Sequence, residues 1–364
     1  MIKEIIQISY KSGLNLNRMY NPDQIKHIHL EPTQRCQAAC PMCDRTNNPR
    51  IKNAELTLDN FMHMVDIDFV KQLNSLLMCG NHGDPIVSSH TLDILRYLRV
   101  NNPDIHLQVT TNGGARNEDF WRELAFILGS RGKVQFSVDG LEDTNHLYRV
   151  NVNWKKIEEA MDVFTQAGGK GVWVYLIFEH NEHQVEEAEQ MAKLFGLDFV
   201  RKKTGRWVQS YKGKKIDKKV TNKGNEIKPA TKPEHQNQSV NKYDRLVKTH
   251  GSFQEYLDQT SIKCKSLITK EIYISAEGLV TPCCWTHGRF YKAYQEIGEN
   301  QIWSFTDDIK NINALHTPLR EIIKGNFFVQ LEKSWNLPSC SDGKSVVCAE
   351  KCGSGFDAFR DQWK

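Results

Sequence analysis

The sequence predicts an α/β fold, a partial (β/α)6 barrel of the TIM-like kind followed by a small cysteine-rich domain. Three observations lead there. Apolar runs alternate with helix-period segments six times between about Ile25 and Phe199. That periodicity then stops in a polar, basic stretch. Beyond it, the remaining cysteines gather near the C-terminus. Strands alternating with helices imply a parallel sheet covered by helices. Six units fall short of a closed eight-fold barrel and fit an open one.

The elements follow in order. "IKHIHLEP" reads as the first strand, and "LTLDNFMHMVDIDFVKQL" as a helix with Thr57 as its N-cap. "SLLMCG" is the second strand, followed by a helix over 92–100. "HLQVTTNG" is the third, followed by a helix over 120–128. "KVQFSVDG" is the fourth, and "WKKIEEAMDVFTQAGG" a helix that stops at glycine. "GVWVYLIF" and the helix "EHQVEEAEQMAKLFG" come next, and "LDFVRKK" is the sixth strand. The expected organisation is an N-terminal extension (1–21), the partial barrel (22–203), a basic linker or insert (204–242) and the cysteine-bearing tail (243–364).

Hydrophobic residues make up 39% of the 364, enough for a substantial core. No apolar run approaches the roughly eighteen residues that span a bilayer, and "MIKEIIQISYKSG" lacks the features of a signal peptide. A cytoplasmic protein with no membrane partner is expected. There the ten cysteines would stay reduced and would serve metal rather than disulfides. Net charge is +4, yet residues 201–245 hold fourteen Lys and Arg against four Asp and Glu. The basic character belongs to the insert.

In folds of this type the chemistry sits at the carboxyl ends of the strands. The segments found there are "EPTQRC", "CGNHGDP", "TTNG" and "SVDG". Cys36, Cys40 and Cys43 crowd the loop after the first strand, spaced x3 then x2. Three thiolates serve zinc, with Cys79 as a fourth ligand, or an iron–sulfur cluster. A cubane held by three cysteines leaves one iron open to a ligand. His29, Glu31, His82, Glu179 and His180 also fall at or near strand ends. Of these, Glu31 and His82 are weak catalytic candidates. Cys284 is a third such candidate; lone cysteines such as Cys284 and Cys79 otherwise serve as small buried apolar residues.

Cys36, Cys40 and Cys43 resemble the CxxxCxxC signature of the radical SAM superfamily, and three later motifs resemble its landmarks in order. The resemblance spans about residues 22–203. It implies a [4Fe–4S] cluster whose open iron chelates S-adenosylmethionine. It implies that Gly83 and Asp84 of "GNHGDP" stand for the motif that meets the SAM amino group, with Asp replacing the usual Glu. It assigns Asn112 of "TTNG", Ser137 and Asp139 to the cofactor, the latter two to its ribose or methionyl part. Arg149 is implied as a carboxylate partner, and Met42 as backing for the adenine.

The tail pattern C-x13-G-x4-C, from Cys264 through Gly278 to Cys283, resembles the opening of the SPASM and Twitch auxiliary-cluster domains. "EIYISAEGLVTPCC" reads as its hairpin, turning near residues 276–278. The resemblance implies one auxiliary [4Fe–4S] cluster on Cys264, Cys283, Cys348 and Cys352, with Cys340 as substitute; a structural zinc is the alternative. A peptide or protein substrate is the first expectation, with a sugar- or nucleoside-like small molecule second. A one-electron reductant such as flavodoxin or ferredoxin is implied as partner. A third alternative is a non-catalytic zinc protein that binds nucleic acid through the insert. The insert's few aromatics, Trp207 and Tyr211, give base stacking little support. Lys212, Lys214, Lys215, Lys218 and Lys219 are expected to attract an acidic peptide leader.

Overall fold

A computed structural model describes residues 19–202, 219–220, 226–227, 230–231, 242–291 and 300–354. Apart from 219–220, 226–227, 230–231 and 242, the basic insert lies outside them, with Lys212, Lys214, Lys215 and Lys218; the side chain of Lys219 is likewise outside. So do residues 1–18 of the N-terminal extension.

Six parallel strands follow the chain in spatial order: β1 (His27–Leu30), β2 (Ser75–Met78), β3 (His106–Thr111), β4 (Gly132–Ser137), β5 (Gly171–Leu176) and β6 (Asp198–Lys202). Within the insert, β7 (Lys219–Val220) and β8 (Glu226–Ile227) form a separate antiparallel pair. The tail contributes β9 (Glu271–Ile274) and β10 (Val280–Thr281). β9 pairs in parallel with β1, placing Tyr273 beside His29, and β10 folds back antiparallel on β9. The result is a mixed eight-stranded sheet with its helices as cover. The tail hairpin therefore occupies the edge of β1 that six strands alone would leave unpaired.

Each β-to-β crossover uses a helix with one apolar face. Glu118–Leu128 buries Phe120, Trp121, Leu124 and Leu128. Trp154–Gln166 buries Ile157, Ala160, Met161 and Phe164. The single helix expected after Thr57 is two: Leu58–Met64 and Ile67–Gln72. Thr57 does cap the first, accepting from the Asn60 N–H. Asp66 then caps the second, accepting from the Phe69 N–H at 2.7 Å. A new cap in mid-segment competes with helix continuation, and apolar periodicity does not register it.

One apolar core contains strand residues of the barrel (Leu30, Leu76, Val109, Phe136) and residues of the tail (Ile272, Ile274, Phe327, Phe328). The start of the described chain is also tied to the tail, because the Tyr20 N–H donates to Glu332 at 3.0 Å. Among the described residues, no helix is long and apolar enough to cross a membrane.

Candidate functional site

The loop after β1 is held open by neighbours rather than by its own secondary structure. Its Gln34 N–H donates to Ala54 O at 2.8 Å, and its Ala39 N–H to Val150 O at 2.9 Å. Cys40 and Cys43 close a turn through the Cys43 N–H to Cys40 O bond. Cys40 is buried, while Cys36 and Cys43 are half-buried. Two later segments reach these sulfurs, one at the end of β3 and one after the short helix Asn145–Tyr148. The Asn112 amide lies 3.7 Å from Cys36 Sγ, and the Arg149 guanidinium 3.9 Å from Cys40 Sγ. Burial, then the Asp84 carboxylate, pushes the Cys36 thiol up to about 12. Burial also raises Cys40, against the pull of Arg149. Both sulfurs would become thiolates only by exchanging a proton for a metal cation. The donor set and its burial fit that exchange.

The residues assigned to the cofactor fall into two groups. Asp84 is buried and accepts from the Asn112 backbone at 2.8 Å and its amide at 2.6 Å, so it sets the orientation of Asn112. Gln37 grips the other end of that amide at 2.6 Å. Asp139 is wholly buried; one carboxylate oxygen receives Arg149 at 2.7 Å and the other the Leu176 N–H at 2.8 Å. Asp139, expected at the ribose or methionyl part of the cofactor, here holds Arg149 in place. Arg149 remains partly exposed beside Cys40. Ser137 ends β4, and Met42 packs half-buried against the core beside Cys43. Gly83 is an intimate contact: a Cβ there would stand 1.8 Å from Thr33 O. Only glycine lets the second-strand loop lie against the cysteine loop.

Glu31, expected only as a weak candidate, anchors that same junction. Its carboxylate accepts from the backbone N–H groups of His82 (2.6 Å) and Gly83 (3.2 Å) and from Tyr273 Oη (2.7 Å). His29 meets the backbone carbonyl of Cys79 at 2.7 Å, at the end of β2. His180 stacks on Phe178, and the Glu179 N–H donates to Thr231 O.

In the tail, Cys264, Cys283, Cys348 and Cys352 line one small cavity, closed by Leu331, Trp335 and Val347. Cys264 caps a helix turn after the insert, Cys283 follows β10, and Cys348 and Cys352 lie one turn apart on Val346–Cys352. A thiol hydrogen bond from Cys352 holds Cys264 low and Cys352 high. Burial raises Cys283 to about 11 and pushes Cys348 up. Four convergent thiols in an apolar shell suit a four-cysteine metal centre. Cys340, the expected substitute, is not among the residues lining that cavity; it packs in a separate cluster, and its N–H donates to Asp258 at 2.6 Å. Cys284 is also outside the cavity lining.

Residues 30–194 match the model of the Radical SAM superfamily. This stretch is a radical SAM domain. The tail that follows it carries a second cysteine group, consistent with an auxiliary cluster. No curated protein matches the chain. Among solved structures, Streptococcus suis SuiB bound to S-adenosylmethionine aligns at TM-score 0.55 and 16% identity, over 96% of this chain and 76% of that one. SuiB bound to its precursor peptide SuiA aligns at 0.54 and 14%, over 90% and 72%. Hexahistidine-tagged anSMEcpe with bound AdoMet aligns at 0.51 and 14%, over 90% and 86%. The likeness extends past the radical SAM domain into the tail, and at this identity it is a likeness of fold.

The sequence did not single out His287, Tyr273 or Gln37. His287 was the most accessible of them, since it lies four residues after Cys283 in a short helix. Nothing local signals that β9 would bring it against Glu31 and His82.

Proposed function

We propose that this chain is a radical SAM enzyme that oxidatively modifies a peptide or protein. The observation that carries the proposal is the cysteine triplet within the radical SAM domain, with Asn112 from the end of β3 and Arg149 from the turn after the helix Asn145–Tyr148 brought to its sulfurs. Cys36, Cys40 and Cys43 would hold a [4Fe–4S] cluster. When bound, that cluster with S-adenosylmethionine supplies reductive cleavage of a carbon–sulfur bond, giving methionine and a 5′-deoxyadenosyl radical that takes a substrate hydrogen.

This chain's residues do the rest. Arg149, fixed by Asp139, presents a cation to the methionine carboxylate of SAM. Asn112, fixed by Asp84 and Gln37, presents an amide on the other side. Gly83 keeps the two loops in contact and excludes water between them. Loss of a hydrogen atom and then an electron oxidises the substrate by two electrons, and the second electron needs an acceptor. The four tail cysteines fit such a centre. A flavodoxin- or ferredoxin-type donor would deliver the initiating electron. The peptide class is supported by the fold likeness to SuiB, whose structure holds a precursor peptide.

The test is anaerobic incubation of reconstituted protein with dithionite and SAM. 5′-Deoxyadenosine should form, and replacing Cys36, Cys40 and Cys43 together with Ala should abolish it. Equal release from the triple variant would defeat the assignment. Efficient turnover of a small metabolite, with no peptide product, would replace the substrate class.

A further inference from the structure

The two cysteine groups leave a third polar cluster unexplained. Glu31, after β1, His82, after β2, and His287, in the helix Cys284–Gly288, converge where the tail hairpin joins β1. One ligand atom from each lies within 4.8 Å of the others. All three are at least nine-tenths buried, at 0%, 3% and 0% exposure. His82 Nδ1 stands 3.8 Å from the Glu31 carboxylate, too far for a hydrogen bond. His82 Nδ1 and both ring nitrogens of His287 are buried without a hydrogen-bond partner.

Three orphaned imidazole nitrogens around one carboxylate are costly as ordinary core residues. A core histidine usually gives its N–H to a carbonyl, as His29 contacts Cys79 O. His287 does not. Both of its ring nitrogens are buried without a partner, so at least one is not offered to any protein group. The surroundings also suit a ligand set. Tyr273 Oη fixes the Glu31 carboxylate at 2.7 Å, the outer contact that orients a metal-binding carboxylate. Tyr291 packs edge-on to His82 and tilted against His287, at 5.0 and 5.1 Å between ring centres, and limits their rotation.

We propose that Glu31, His82 and His287 form a mononuclear site for a divalent transition-metal ion of the zinc class, separate from both cysteine groups. Two imidazoles and one carboxylate are a familiar zinc donor set, and three protein ligands leave a position for water or a substrate oxygen. Donor atoms on tetrahedral zinc stand about 3.3 Å apart, so the group needs only a modest contraction. The ion would give the buried Glu31 a cation and would pin the tail hairpin to the two loops beside the cysteine triplet.

The test uses holoprotein carrying its iron–sulfur clusters. One equivalent of Zn²⁺ is added anaerobically, unbound ion is removed by desalting, and zinc and iron are counted by mass spectrometry. Zinc K-edge absorption then reports the first shell. The expected result is one retained zinc per chain with only nitrogen and oxygen ligands, an imidazole outer shell and unchanged iron. H287Q, H82Q and E31Q should each lower zinc retention about tenfold or more at constant iron. No zinc retained by the unaltered protein, sulfur in the zinc shell, or full retention by these variants would overturn the site. Should a variant also lose iron, the shell of the unaltered protein decides by itself.

Discussion

At the scale of single residues, the buried polar side chains near the cysteine triplet act mostly on one another. Asp84 orients Asn112, Asp139 orients Arg149, and Glu31 orients the His82–Gly83 turn. His29 makes the pH consequence measurable. Burial lowers its pKa from 6.5 to about 4, against the opposing bond to Cys79 O. The unfolded chain therefore takes up a proton near 6.5 that the folded chain refuses until about 4. Stability is complete above 6.5 and declines as pH falls through that window, by about 3 kcal/mol at its lower end. Denaturant titrations of the wild type and H29Q across the window should diverge in slope by about one proton. Parallel curves would show that His29 does not carry this linkage. The sequence singled out Glu31, Asp84 and Asp139 because strand-end position is a local property. It could not show that Asp139 pairs with Arg149, since that pairing depends on where the chain turns after β4.

At the scale of elements, the six strands were legible because each is a short apolar run bounded by polar turns. The split helix was not, because Asp66 sits in a segment whose apolar spacing continues on both sides. Asp66→Ala should cost about 1 kcal/mol in thermal or urea unfolding, the usual worth of an N-cap; no change would mean that the Phe69 N–H finds another acceptor. The loop-to-loop contact at Gly83 is stricter. Gly83→Ala places a methyl against Thr33 O. Separation of the loops should cost about 1–3 kcal/mol and reduce iron bound at the triplet while sparing the tail. Full iron occupancy with unaltered stability would show that the junction yields freely.

At the scale of the whole molecule, the tail is more than an attachment. The sequence identified its hairpin and four cysteines, but the hairpin's place beside β1 is a long-range pairing that no local pattern encodes. Parallel registry of His29 with Tyr273 joins residues far apart in the chain. A chain truncated after Lys202 should therefore expose the β1 edge and self-associate, as size-exclusion chromatography would reveal. A monodisperse, cooperatively unfolding fragment would contradict the shared sheet. The account rests most heavily on two cysteine groups that hold separate clusters. Iron counting in two reconstituted variants, Cys36, Cys40 and Cys43 to Ala and Cys264, Cys283, Cys348 and Cys352 to Ala, tests it most directly. Each should retain about four irons, one cubane's worth, and the unaltered protein about eight. Tightly bound zinc in place of iron at either group, or loss of all iron from the triplet variant, would contradict it.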